Sequence, residues 1–282
     1  MKTLGEILNS SEQFLKQKGI ERSRFIAQTL LSFLLKCKRM DLYLLFDRPM
    51  QEEELALLRP LLKRAASAEP VEYIVQTVPF GGVDIFVTPD VLIPRPETEL
   101  LVHEIIKESL DGKEVWDICT GSGCVGISLK KKFPLSRVTL SDISAAAIAV
   151  AKENGKRNQV EIECLTGDLL APFQGKKADV VVCNPPYISE KEYQGLDLSV
   201  RGFEPFTALV GGEDGLLFYR RLSQGLPAVL NHQAKIFLEI GSSQGDDVSA
   251  LFSDPRFVKK RLEKDWSGKD RFFFLEFEGV VV

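Results

Sequence analysis

The apolar positions divide the chain into two periodic regimes. From Thr3 to about Ala68 they recur at helical spacing: Leu4, Ile7, Leu8, Phe14 and Leu15, then Phe25, Ile26, Leu30, Leu31, Phe33 and Leu34, then Leu42, Leu44 and Leu45, then Leu55 to Leu62. The pattern predicts a small bundle of about four helices over residues 1–70. Glu69-Pro70 marks its end. Tyr73 to Thr77 and Ile85 to Thr88 carry β-formers on either side of Pro79-Phe80-Gly81-Gly82, which predicts a β-hairpin within a linking segment, residues 71–90.

The remaining stretch, 91–282, begins with Leu92 to Thr98, extended through its prolines. A helix is expected from Pro96 to about Ser109, because proline in the first turn and the acids Glu97 and Glu99 suit a helix N-terminus. From Glu114 onward, short β-branched runs alternate with helical ones: Val115 to Ile118, Val138 to Leu140, Val160 to Cys164, Val180 to Cys183 and Ile236 to Ile240 are the strands. Such alternation predicts a mostly parallel sheet covered by helices on both faces. Phe257 to Leu262 and Phe272 to Phe277 are joined by a polar loop too short for a crossover helix, so the last pair is expected to be antiparallel.

Composition narrows the function. A chain of 282 residues with 44% hydrophobic residues can bury a sizeable core, and a formal net charge of -4 argues against a protein that lives by neutralising nucleic-acid phosphates. Lys259-Lys260-Arg261 with Lys264 is a modest basic run, read as a solvated face. Cys37, Cys119, Cys124, Cys164 and Cys183 are odd in number and form no C-x-x-C pair, so neither a disulfide framework nor a zinc site is expected, and a reducing cytoplasm fits best. His103 and His232 lie in no metal-binding or Ser-His pattern. Amphipathic sequence follows Met1 to Glu6, so no signal peptide is expected, and no stretch is long enough to span a bilayer.

Two stretches carry chemistry. Asp117-Ile118-Cys119-Thr120-Gly121-Ser122-Gly123-Cys124-Val125-Gly126 follows the first strand of the sheet and contains G-x-G-x-x-G, with Asp142 ending the next strand roughly 20 residues on. That pattern points to an adenosine cofactor without choosing between NAD and S-adenosylmethionine. Asp117 favours the latter, since a carboxylate at the loop entrance repels a pyrophosphate but can face an ammonium. Asp168 is placed to meet the adenine amine.

The second stretch, Asn184-Pro185-Pro186-Tyr187, follows the buried run Ala178 to Cys183. Asn184 offers a side-chain carbonyl, and the carbonyl of Pro185 faces little competition from donors because proline has no N–H. Two adjacent acceptors suit a planar –NH2 group, and Tyr187 adds an aromatic face. Such a site has no use in hydride transfer and suits a methyl acceptor.

Asp117 to Gly123, Asp142, Asp168, Asn184 to Tyr187, Ile93-Pro94-Arg95-Pro96-Glu97-Thr98-Glu99 and Arg201-Gly202-Phe203-Glu204-Pro205-Phe206-Thr207-Ala208-Leu209 together resemble the HemK/PrmC protein-glutamine methyltransferases. The resemblance covers essentially the whole chain. It implies a Rossmann-like S-adenosylmethionine-dependent methyltransferase sheet with a small N-terminal helical bundle and a linking β-hairpin. It also implies methylation of the side-chain amide of the Gly-Gly-Gln glutamine in class-1 peptide chain release factors. On that basis the cofactor is held by Asp117, Cys119, Thr120, Gly121, Ser122, Gly123, Asp142, Ile143, Asp168, Leu169 and Asn184. The glutamine meets Asn184, Pro185, Pro186 and Tyr187, with Phe80 as a further wall and Arg95 with Glu97 shaping the lip. Nothing in the helical bundle looks catalytic, so it reads either as a structural cap or, as its size for an enzyme suggests, as a module that docks the macromolecular substrate. The enzyme is expected to be monomeric when free and to hold no stable nucleic acid. Family members often have glycine where Cys119 stands and an aromatic where Leu169 stands, so stacking of Leu169 on adenine is expected to be weaker. Rival readings are a glutamine methyltransferase acting on a ribosomal protein and a nucleic-acid amino-methyltransferase.

Overall fold

The computed structural model describes residues 2–279, so the outermost residues of the first and last expected segments, 1 and 280–282, lie outside the described residues. Its contacts divide the chain into two compact units, residues 1–77 with 197–203, and residues 78–196 with 204–282.

In the first unit the helices are Leu4–Gln17, Ser23–Leu35, Asp41–Leu44, Glu52–Ala66 and Val71–Val75. The first starts where Thr3 and Glu6 cap each other, the Thr3 N–H reaching Glu6 Oε2 at 2.8 Å and the Glu6 N–H reaching Thr3 Oγ1 at 3.3 Å. The helical periodicity is used for one core, in which Leu4, Leu8, Leu15, Leu30, Leu31 and Leu42 are fully buried.

The hairpin is displaced from its expected position. Val71–Val75 is a helix, and the strands are β1 (Thr77–Phe80) and β2 (Val83–Phe86). Two local effects override the β-propensity of Val71, Ile74 and Val75. The Pro70 carbonyl accepts from the N–H groups of Tyr73 and Ile74, and four of the five residues are buried. Gln76, at φ +56°, then ends the turn. Gly81 and Gly82, at φ +53° and +82°, form the two-residue bend that matches strand twist, so the turn is two residues rather than Pro79 to Gly82. The hairpin is tied to the helix Ala145–Arg157 by Asn154, which accepts from the Phe86 N–H at 2.6 Å and donates to the Phe86 carbonyl at 2.8 Å.

The second unit is built on seven strands: β3 (Glu114–Ile118), β4 (Arg137–Asp142), β5 (Glu163–Thr166), β6 (Ala178–Cys183), β7 (Leu230–Glu239), β8 (Phe257–Lys264) and β9 (Asp270–Phe277). They lie in the order β5-β4-β3-β6-β7-β9-β8. β3 to β7 are parallel, and β9 is antiparallel to both β7 and β8, as the short polar loop predicts. Trp116, Ile118, Val181, Cys183, Ile236 and Leu238 share one hydrophobic cluster with Tyr219, Leu222 and Val248 of the helices Leu217–Gly225 and Gly245–Leu251. Alternation along a strand sends Asp117, Val182 and Phe237 to the opposite face, where Pro96–Ile105 and Cys124–Lys132 lie.

The chain order reverses between β3 and β6. The loops after these two strands therefore diverge and leave a crevice at their C-terminal ends, where open α/β sheets bind ligands.

Candidate active site

A cavity of about 320 Å³ occupies that crevice. It is lined by Asp117 and the loop Cys119–Ser122, by Asp142 and Ile143, by Asp168 and Leu169, and by Asn184, Pro186 and Arg95. Two motifs separated by more than sixty positions thus converge because β3 and β6 are neighbours, with Ile118 opposite Cys183.

Asp117 is 3% exposed. Its Oδ2 accepts from Thr120 Oγ1 at 2.7 Å and from the Gly126 N–H at 2.9 Å. Burial pushes its carboxyl up to about 6, and these two hydrogen bonds oppose the rise. Asp142 ends β4, where one oxygen accepts from the Gly121 N–H and the other from the Ser144 N–H, each at 2.9 Å. It too is raised by burial. Gly121, at φ +53°, has open space where a Cβ would stand, so a ligand can approach its backbone closely.

Cys119 adopts φ +58°, a region in which a side chain costs energy, which gives a physical basis for glycine at this position in the resembling family. Leu169 is at φ +48° and 6% exposed, packed in the hydrophobic cluster behind the cavity. Ile143, 62% exposed, lines the cavity together with the exposed apolar side chains of Phe206 and Leu217. Asp168 is paired with Arg221 at 2.7 Å, so its carboxylate is already held by a cation.

Not every expected residue reaches the cavity. Phe80 is buried in the hairpin and does not line it, because the strand of the hairpin begins four residues later than expected and turns its last side chain inward. Tyr187 does not line it either. Its ring packs against the hydrophobic cluster, its hydroxyl lies 3.4 Å from Arg271, and its backbone carbonyl accepts from Gln244 Nε2 at 2.9 Å. Burial pushes that phenol up to about 12. Pro185 is buried beside Asn184 and outside the lining, and Gly123 lies one step behind it.

Residues outside the expected set complete the site. Ser141 lines the cavity with its hydroxyl buried and without a hydrogen-bond partner among the described residues. Asn184 Nδ2 donates to Thr98 Oγ1 at 3.3 Å, and Thr98 Oγ1 donates to Glu239 Oε2 at 2.8 Å. Glu239 ends β7, one residue beyond the pairing of Cys183 with Leu238, so the register carries it alongside Asn184. A carboxylate inside the apolar run Ile236 to Ile240 is the sequence signal that could have marked it.

Comparison with known proteins identifies the fold's company. The family described as "Methyltransferase small domain" matches residues 96–198, which include both loops, and the family described as "PrmC N-terminal domain" matches residues 6–75. The chain is 38% identical over 269 residues, 95% of each chain, to the Release factor glutamine methyltransferase of Geobacter sulfurreducens. The chain belongs to the release factor glutamine methyltransferase family. Other family members are equally well covered: the protein of Chlamydia trachomatis serovar L2 is 41% identical over 96% of this chain and 93% of its own, and that of Bacillus subtilis 37% over 96% of both. A solved methyltransferase from Pyrococcus furiosus shares the fold, with a TM-score of 0.54 at 19% identity over 71% of this chain and 90% of that one.

For a methyltransferase of this family the cofactor is S-adenosylmethionine, and the cavity fits it. The unpartnered Ser141 hydroxyl, the buried Asp117 and half-buried Asp142 carboxylates and the open approach to Gly121 supply polar partners for an ammonium and a ribose, and Ile143 supplies an apolar wall for a base. No helix among the described residues is long and apolar enough to cross a membrane.

Proposed function

We propose that the chain transfers a methyl group from S-adenosylmethionine to the side-chain amide nitrogen of the glutamine in the Gly-Gly-Gln motif of class-1 peptide chain release factors. The observation that carries this reading is the position of Asn184, at the C-terminal end of β6 and facing the same cavity as Asp117 and Asp142. Asp117 holds the ammonium of the methionine moiety and Asp142 the ribose hydroxyls. Asp168 meets the adenine amine while paired with Arg221.

When bound, S-adenosylmethionine supplies an electrophilic methyl group on its sulfonium. The acceptor is a weak nucleophile, because the amide lone pair is delocalised into the carbonyl. The residues must therefore provide orientation. Asn184 Oδ1 accepts an N–H of the glutamine, and its dipole favours positive charge on the nitrogen. Fixing reactants in this way contributes on the order of 7–11 kcal/mol. Transfer would form the carbon–nitrogen bond as the carbon–sulfur bond breaks, leaving S-adenosylhomocysteine, and the proton lost from nitrogen would pass to water. Arg95 shapes the mouth of the cavity.

The reading assigns residues 1–70 to docking of the protein substrate, 71–90 to the linking hairpin and 91–282 to methyl transfer, in an enzyme that is cytoplasmic and monomeric when free. Stable nucleic-acid binding is not part of it. In the basic run, Lys259 pairs with Glu276 at 2.7 Å and Arg261 with Glu263 at 2.9 Å, which favours a neutralised surface over a phosphate-binding one.

The test is incubation with labelled S-adenosylmethionine and a purified release factor, alongside a release factor whose motif glutamine is replaced, a ribosomal-protein fraction and duplex DNA. Label in the release factor that disappears with the glutamine is the expected result. Label in a ribosomal protein or in DNA instead would overturn the substrate and leave the cofactor assignment standing.

A further inference from the structure

The hydrogen bonds behind Asn184 have a direction, and that direction determines which end of its side chain faces the cavity. An asparagine amide presents a carbonyl on one side and an –NH2 on the other, two ends of nearly the same shape and opposite chemistry. Only the carbonyl can accept an N–H from a methyl acceptor. If the amide were turned over, two –NH2 groups would face each other.

Glu239 is 1% exposed and Thr98 is 3% exposed, so neither can satisfy its hydrogen bonds with bulk water. An ionised carboxylate accepts and never donates. Thr98 has a single hydroxyl proton, which it gives to Glu239 at 2.8 Å. Its oxygen can then only accept, and it accepts from Asn184 Nδ2 at 3.3 Å. The –NH2 of Asn184 is thereby held inward and Oδ1 outward.

We propose that Glu239 is a positioning residue for methyl transfer: acting through Thr98 and directly on the Asn184 amide, its negative charge fixes the orientation of that amide so that the carbonyl meets the acceptor. The proposal rests on the reading of Asn184 as the group that holds the acceptor. Glu239 does not touch the substrate.

Such control depends on the charge of Glu239. If Glu239 takes up a proton it can donate to Thr98, whose own proton is then free to turn toward Asn184 and draw Oδ1 inward. The groups around the carboxylate act in both directions. The hydrogen bond from Thr98, the charge of Arg271 of β9 and a hydrogen bond from Asn184 favour the ionised form. Glu97, on the same helix as Thr98, disfavours it, and Cys124 and the Tyr187 and Tyr219 phenols are the remaining titratable neighbours. Tyr219 donates to the backbone carbonyl of Glu239 at 2.8 Å and so fixes the main chain and not the carboxylate. Burial raises the carboxyl to about 7, which brings its titration into the range where the enzyme can be assayed.

Two measurements test the relay. In the first, turnover is followed against pH on whichever acceptor the wild-type enzyme labels, at saturating cofactor. Thr98→Val is expected to lower kcat roughly 10- to 100-fold, the scale for removing a group that orients a reacting side chain, with cofactor affinity preserved. Thr98→Ser, which keeps the hydroxyl, is expected to restore most of kcat. Wild-type kcat should fall as pH drops through the titration of Glu239, and Glu239→Gln should remove that limb. In the second measurement, the side-chain amide resonance of Asn184 is identified by its loss in Asn184→Ala and followed against pH by NMR, with no substrate present. It should shift with the titration of Glu239 in the wild type and in Thr98→Ser, should shift less in Thr98→Val, and should not shift in Glu239→Gln. A wild-type resonance insensitive to pH, or one whose shift survives Glu239→Gln, overturns the proposal regardless of the acceptor. Failure to label a release factor, with the resonance behaving as expected, overturns the substrate alone.

Discussion

The guanidinium of Arg95 meets the carboxylate of Glu204 at 2.6 Å across 109 positions of sequence. The other oxygen of Glu204 accepts from the Ile93 N–H at 3.3 Å. One buried acid therefore ties the extended stretch before the helix Pro96–Ile105 to the start of the segment Pro205 to Ala208, and both stretches border the cavity. Replacing Glu204 by alanine strands a cation that is only one-third exposed and leaves a buried N–H without its partner. Glu204→Ala is expected to cost about 3 kcal/mol in urea unfolding, and Glu204→Gln less, because the amide oxygen can still accept from Ile93.

The raised carboxyl of Asp117 predicts a pH dependence of cofactor binding. Bound ammonium favours the carboxylate, so a proton competes with the cofactor once pH falls through about 6. Affinity measured by calorimetry should be level above that point and fall by about tenfold per pH unit below it. Asp117→Asn should bind more weakly and lose this dependence.

Gly126 lies where the helix Cys124–Lys132 crosses the sheet. A Cβ there would stand 2.2 Å from Leu140 Cδ2 and 3.1 Å from Asp117 Oδ2. Alanine improves helix propensity by about 1 kcal/mol, whereas overpacking costs about 1–3 kcal/mol. The clash is with a branched side chain fixed in the core, so overpacking dominates. Gly126→Ala is expected to lower stability by about 1–2 kcal/mol in denaturant titration and to weaken cofactor binding by displacing Asp117.

Glu239 makes the opposite kind of prediction, since its burial opposes its charge. Its folded pKa, about 7, lies above the unfolded value. The protonated form therefore supports the fold, and that support is complete below the unfolded pKa and lost as pH rises through about 7. Glu239→Gln should raise the melting temperature at pH above 7 and make little difference in acid, where both side chains are neutral. A rise in stability together with a fall in turnover would identify a group kept for function at the expense of the fold.

Much of this was legible in the chain itself, and the reasons differ by element. Val180 to Cys183 ending at Asn184-Pro185 located the business end of β6, because a buried β-branched run and a pair of prolines leave few alternatives. The antiparallel close of the sheet followed from the length of one loop. The helix Val71–Val75 did not follow, because its residues prefer strands when considered singly and only their burial and the Pro70 carbonyl make them helical. The same displacement moved Phe80 into the hairpin core. Tyr187 illustrates another limit: the tetrapeptide fixes where the backbone goes, but the direction of the aromatic ring depends on Arg271 and on the hydrophobic cluster, contributed from remote parts of the chain. Thr98 and Glu239 are brought together only by the strand register and the helix that crosses it, and Glu204 reaches Arg95 and Ile93 from a segment more than a hundred positions away.

The margins of the sheet bear on how these molecules coexist at high concentration. At one margin β5 has only four residues. At the other, β8 presents Lys259, Lys260, Arg261 and Lys264 outward, and its pairing with β9 is interrupted after Val258, where Lys259 turns to φ +49°. A bare strand edge is a template on which another chain can add. Here one template is too short and the other is charged and kinked, so a seven-stranded sheet is left with no straight apolar rail along which a neighbouring copy could polymerise.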